Sequence, residues 1–339
     1  MDHPTTSRAT GWLRGPAFDM TFMVGVAVLA LTAGAVGLRY PSLFMPLVAA
    51  DLWFLGYHHV VATYTRLCFD RESLRTHRFL IWILPMIVLA GTLVLAFGVG
   101  LWSLTTLYFY WQWFHYARQS WGVSQAYRRK AGKEVTDSPR LSELVFYLLP
   151  VWGIVHRSWQ NPTKFLGLDF RMLPMPRAVE QALGAAALVG VAWWIVTRVR
   201  AWRRGELPIA HTIFMLSHFT IFYVAYIAID DVSVGWLVTN VWHNAQYILF
   251  VWVFNNRKFE KPSEAAPFLS KMSRSENVAL YFGVCMVIST GVYLLLGQLA
   301  MIVAPVVIYQ VINFHHYLVD SVIWKLRKPS VRSALQLDA

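Results

Sequence analysis

The stretch FLIWILPMIVLAGTLVLAFGVGLWSLTTLYFYWQWF, from Phe79 to Phe114, contains no charged residue. A helix needs about 20 apolar residues to cross the hydrocarbon core of a bilayer, so this run is too long for one span. Gly98-Val99-Gly100 divides it, which predicts a helix, a tight turn and a second helix. A second uncharged run, Asn277 to Val319, breaks in the same way at Gly297-Gln298. Outward from these pairs, the same criterion predicts spans at 17–38, 42–65, 79–98, 102–126, 141–156, 178–198, 208–229, 233–255, 277–296 and 300–324. The segment 141–156 is short and contains Pro150, so a full crossing and a re-entrant hairpin both remain open for it. The expected fold is all-α, a single polytopic membrane bundle of about ten transmembrane helices.

Composition agrees with this reading. The chain is 57% hydrophobic and 14% charged, whereas soluble domains carry roughly 25% charged residues. The formal net charge of +12 does not indicate a nucleic-acid partner, because the basic residues sit in short segments between apolar runs. With the N-terminus inside, twenty-four of the 30 Lys and Arg residues fall in inner segments and five in outer ones, while Arg118 lies within a span. That bias is the positive-inside pattern, and it predicts that both termini are cytoplasmic. Met20 to Leu38 is longer than the roughly 7–15-residue core of a signal peptide, so a retained first helix is expected. The expected location is the bacterial inner (cytoplasmic) membrane. Cys68 and Cys285 lie far apart and match no metal or redox spacing.

On this topology His3 and His77 fall in cytoplasmic segments and His156 near the outer surface. The other eight histidines lie in spans. His58, His59, His115, His243, His315 and His316 occur as aromatic–His pairs on four spans running inward, about 7–13 residues from the cytoplasmic ends, or roughly 10–20 Å deep. His218 reaches a similar depth from the opposite direction, and His211 shares its face closer to the cytoplasm. Polar groups in a bilayer are costly and face the protein interior. Five spans delivering histidine to one depth point to a metal site, with a structural polar network and proton-coupled transport as rivals. Asp320 shares a helix face with His316 at four-residue spacing. Asp51, Gln112, Arg118, Gln119, Asn240, Asn244 and Gln246 lie beside the histidines at helical spacing, as supports or as hydrogen-bonding glue between helices.

Imidazole at a buried site suits iron, copper or zinc, whereas magnesium and calcium prefer oxygen ligands. Neighbouring histidines point about 100° apart on a helix, so each adjacent pair offers one ligand to a given ion, or two ions lie nearby. His58, His115, His243 and His316 are the expected first ligands, followed by His59, His218, His315 and Asp320. One or two iron ions are expected, with copper or zinc as alternatives. Haem is a further rival, although no C-x-x-C-H attachment motif occurs.

The H-x-x-x-H and H-x-x-H-H boxes of membrane di-iron desaturases are absent. The segment His315-His316-Tyr317-Leu318-Val319-Asp320 resembles the bacterial β-carotene-cleaving dioxygenases related to the bacteriorhodopsin-associated Brp and Blh proteins. Those enzymes scatter single histidines over several helices around one iron and place an acid four or five residues after a histidine. The resemblance puts His115 and His243 at mid-chain ligand positions and implies a membrane iron oxygenase. It covers four short segments. This chain is longer, has more spans and lacks the family's Pro-His-Gly segment. The functional expectation is a metal-dependent oxygenase or desaturase taking a lipid or isoprenoid substrate from the bilayer. The alternatives are a proton-coupled transporter and a haem-binding electron carrier.

Overall fold

The computed structural model describes residues 11–132, 138–299 and 305–337. His3, Arg8, Lys133 and the first residues of the expected last span lie outside them. The chain is helical almost throughout: α1 (Pro16–Arg39), α2 (Phe44–Asp51 continued by Leu52–Gly56 and Tyr57–Cys68), α3 (Arg71–Thr76), α4 (Phe79–Gly98), α5 (Leu101–Lys130), α6 (Pro139–Gln160), α7 (Arg177–Arg203), α8 (Ile209–Ala228), α9 (Val232–Lys258), α10 (Pro267–Met272), α11 (Val278–Leu299), α12 (Pro305–Ile323) and α13 (Pro329–Ala334). Each of the ten expected segments coincides with a long helix. The segment expected at 141–156 is the 22-residue helix α6, with Pro150 inside it.

Among the described residues five helices, α1, α4, α7, α8 and Ser275–Gln298 at α11, are long and apolar enough to cross a membrane, which is consistent with a membrane protein. Large apolar side chains also cover the outside, among them Phe97, Val287, Trp82, Val94 and Val189. A water-soluble monomer rarely exposes apolar surface on this scale.

Local chemistry sets the helix ends. Gly100 joins α4 to α5 with φ +117, and a Cβ there would press on the Trp102 ring at 3.2 Å. Asp70 caps α3 by accepting from the backbone N–H groups of Glu72 and Ser73. Asp231 caps α9 in the same way through Ser233 and Val234. Between α6 and α7 lies a small antiparallel hairpin, β1 (Lys164–Phe165) and β2 (Leu168–Asp169).

Helix α9 runs through the middle and is buried along most of its length. It packs on α1, α2 and α8, while α12 packs on α4 and α5. Close approaches rely on small residues, as expected between membrane helices. A Cβ on Gly235 would lie 2.1 Å from the Ala225 carbonyl of α8. The same junction holds Arg157, only 1% exposed. Its guanidinium donates to the carbonyls of Ala225 at 2.7 Å and Asp230 at 2.8 Å, and also to that of Ile229. It thereby satisfies carbonyls at the end of α8 that have no helical donor.

Candidate metal centre

Four central helices each bring an imidazole to one place: α2 supplies His59, α5 His115, α9 His243 and α12 His316. His59, His115, His316 and Asp320 are all buried. Each offers a ligand atom, and these atoms lie within 4.8 Å of one another, so the group could hold a metal ion. The His243 ring adjoins them, with its centroid 4.8 Å from that of His59 and 5.2 Å from that of His115. The Nε2 atoms of all four histidines are buried without a hydrogen-bond partner. One orphaned polar atom is costly; several gathered beside a carboxylate form a group that could hold an ion.

The surroundings hold these rings. His59 Nδ1–H donates to Asn244 Oδ1 at 2.6 Å, which leaves the Nε2 lone pair for a ligand bond. Asp320 Oδ1 accepts from Thr63 Oγ1 at 3.0 Å and from the Tyr247 hydroxyl at 2.9 Å, and Gln119 donates to Oδ2. Asp320 Oδ2 lies 3.5 Å from His316 Nε2. Three tyrosine rings face three of the histidines: Tyr247 against His59 at 4.1 Å, Tyr317 against His115 at 4.3 Å and Tyr116 against His243 at 4.1 Å between centroids. These tyrosines and Thr63 did not figure among the residues singled out from sequence. The available signal was a tyrosine directly after His115 and His316 and four residues after His243.

Behind the rings is a polar layer. Asn240 donates to Asp51 and accepts from Gln112 Nε2 at 3.1 Å and from Tyr116. Gln112 Oε1 in turn accepts from Trp236 at 2.6 Å. Gln246 reaches the Phe22 carbonyl at 3.4 Å, away from the cluster. Arg118 is exposed one turn from His115 and donates to the Tyr147 hydroxyl at 3.4 Å.

The remaining histidines expected at the site lie apart from the cluster, although His58 Nε2 is also buried without a hydrogen-bond partner. His58 faces the Phe282 ring at 5.3 Å, and its neighbour His59 takes the place in the cluster. A π turn at Leu52–Gly56 explains the exchange. Such a turn inserts about one residue into the helix and rotates the residues beyond it by about 100°. His59 therefore lies on the face that Asp51 presents to α9, where ideal α-helical spacing would put His58.

His218 and His315 have both nitrogens occupied, and proline explains why. Pro150 has no N–H, so the Phe146 carbonyl four residues earlier loses its helical donor. His218 Nε2–H donates to that carbonyl at 3.2 Å, while its Nδ1 meets Ser120 Oγ at 3.1 Å. Pro85 follows the π turn Phe79–Ile83, where bonds run to the fifth residue, so its missing N–H orphans the Leu80 carbonyl. His315 Nε2–H supplies that carbonyl at 2.7 Å, and the Tyr64 hydroxyl meets Nδ1 at 2.6 Å. His211 is held between Ser124 at 3.1 Å and Arg198 at 3.3 Å. His77 packs against Ser73 and His156 against Glu180.

Two cavities flank the cluster. One of about 710 Å³ reaches His115, His243 and Asp320. On the opposite side, a space of about 20 Å³ lies against His59, His316, Asn240 and Asn244, enough for a water molecule at roughly 10–15 Å³ each. Comparison with known protein families, with curated proteins and with solved structures finds no match to the chain.

Proposed function

We propose that the chain is a membrane-embedded, metal-dependent oxidoreductase, an iron oxygenase or desaturase that acts on a lipid or isoprenoid. The observation that carries this reading is the set of four buried imidazoles with unpartnered Nε2 atoms, beside a carboxylate and at the end of a large cavity. His59, His115 and His316, with Asp320 or His243, would hold the ion. Histidine-rich sites with a carboxylate and open positions suit iron that activates oxygen, and that is the chemistry the ion would supply here.

The chain's own residues do the rest. Asn244 fixes the tautomer of His59, while Thr63, Tyr247 and Gln119 fix the Asp320 carboxylate. The aromatic walls keep water from the reacting centre. The cavity lies within the range of about 300–1,000 Å³ typical of ligand sites. The proposed topology has ten spans and both termini on the cytoplasmic side, which places the basic ends of α5, α9 and α12 there. A proton-coupled transporter needs a path to both faces, and among the described residues the far side of the cluster narrows to the space of about 20 Å³. A haem needs a flat slot between two opposed ligands, whereas here four imidazole rings crowd together with centroids 4.5–6.3 Å apart, and only His59 and His115 lie nearly parallel.

The test is metal analysis with an optical spectrum on gently purified protein, followed by turnover of a lipid extract in air and under argon. One or two iron ions per chain, no Soret band and oxygen-dependent turnover are expected. Active metal-free protein would refute a metal enzyme, and undiminished turnover under argon would refute the oxygenase.

A further inference from the structure

The wall of the large cavity carries an unusual charge balance. It runs along α5 from Trp111 and Phe114, past His115, to Arg129, and the fourteen residues from His115 to Arg129 correspond to about 21 Å of helix. Arg129 lines the cavity together with Lys325 and Arg327, which follow α12. Arg118 lies part-way along. None of these four cations has an acidic partner among the described residues; Arg118 has only the Tyr147 hydroxyl. Among the described residues Asp320 is the single carboxylate of the lining, and Thr63, Tyr247 and Gln119 already hold it. The rest of the wall mixes apolar side chains, among them Trp324, Phe250 and Leu318, with uncharged polar ones such as Gln119, Gln125 and Gln246.

Basic residues at helix ends need no ligand when they only obey the positive-inside bias. These differ because they line one cavity that also reaches the imidazole cluster, and because Arg118 stands inside a span, where an ionisable group is costly unless it is used. A guanidinium recognises a carboxylate or a phosphate through paired hydrogen bonds. We infer that the cavity binds an amphiphile with an anionic head, carboxylate or phosphate. Arg129, Lys325 and Arg327 hold the head, and the long apolar chain lies along α5 past His115 and His243. This inference rests on the proposed function for what happens at the cluster, but the binding it describes does not depend on turnover.

The experiment measures binding of palmitate, hexadecyl phosphate, hexadecanol and inorganic phosphate to the full chain in a neutral detergent, by isothermal calorimetry. Wild type, Arg129→Gln/Arg327→Gln and Arg118→Gln are compared, with metal content determined on each sample. Palmitate or hexadecyl phosphate should bind at least tenfold tighter than hexadecanol, and the double variant should erase that advantage at unchanged metal content. Equal binding of hexadecanol, or an advantage that survives in the double variant, overturns the assignment of the head site. Inorganic phosphate binding as tightly as hexadecyl phosphate shows an anion site without a chain and also overturns it. A metal-free protein that is active and still prefers the anionic amphiphiles sinks the proposed function and leaves this inference standing.

Discussion

Replacing Asn244 with Leu removes the acceptor of the His59 Nδ1–H bond, 2.6 Å long and buried, with a side chain of the same branching and the same number of heavy atoms. The ion needs the proton on Nδ1 so that the Nε2 lone pair is free. In the variant that proton has no partner, and a buried unsatisfied donor costs about 1–3 kcal/mol. Without that acceptor nothing favours the proton on Nδ1, so the metal-free ring can take the other tautomer, with the proton on Nε2, the atom the ion requires. Loss of such a supporting hydrogen bond typically weakens a metal site about 10–100-fold, which is about 1.4–2.8 kcal/mol, in agreement with the first figure. Competition against a chromogenic chelator, on protein in nanodiscs, reads this directly. The expected result is a metal Kd raised 10–100-fold in Asn244→Leu, with His59→Ala losing more. An unchanged Kd in Asn244→Leu beside a large loss in His59→Ala would show that the amide does not orient the ring. An unchanged Kd in both would remove His59 from the site.

Further expectations separate the adjacent histidines and test the frame. His58→Ala should retain metal and His59→Ala should lose it, as read by metal per folded chain; the opposite order would refute the rotation assigned to the π turn. His218→Ala should lower thermal stability by about 1–3 kcal/mol without metal loss, and the cost should shrink in a Pro150→Ala background, where the Phe146 carbonyl regains a helical N–H; a double-mutant cycle showing full additivity contradicts that account. Burial alone would raise the Asp70 carboxyl, but the Lys258 ammonium at 2.8 Å and the N–H groups of Glu72 and Ser73 more than offset it and hold it below the usual carboxylate range. Its contribution to stability is therefore present above the unfolded value near 3.9 and lost as pH falls through the lower folded value. Asp70→Ala should cost about 1 kcal/mol through the cap, and Asp70→Asn less; equal melting temperatures for all three proteins above pH 5 would show that the cap is idle.

What could be read from residues alone divides along physical lines. The helices were legible because uncharged runs and basic loops report on the solvent around a segment, and that needs no knowledge of neighbours. That several helices bring a histidine to one level was legible for a similar reason, since rise per residue is fixed. The facing was not. Asp51 and His58 lie seven apart and share a face only in an unbroken α-helix, and nothing in Leu52–Gly56 announces the extra residue of a π turn. The engagement of His218 and His315 was hidden differently. Pro150 and Pro85 are visible in the sequence, but only the packing of α8 on α6 and of α12 on α4 brings an imidazole to each freed carbonyl.

The buried guanidinium of Arg157 bears on how this cluster can fail. It bonds to the carbonyls of Ala225, Ile229 and Asp230, just before the cap of α9, and it lies under Gly235, where a Cβ would stand 2.8 Å from its Nη2. The contact sets the height of α9 like a stop on a sliding rod. His243 lies eight residues further along, about 12 Å away. A slip of α9 by one residue, about 1.5 Å, exceeds the tolerance of roughly 0.5 Å within which such constellations must be held. His243, Asn244 and Tyr247 would then leave the cluster together. A screen for inactive variants would therefore return Arg157 and Gly235 beside the histidines, and the two classes would separate by rescue: excess metal restores a weakened ligand set, but it cannot raise or lower a helix.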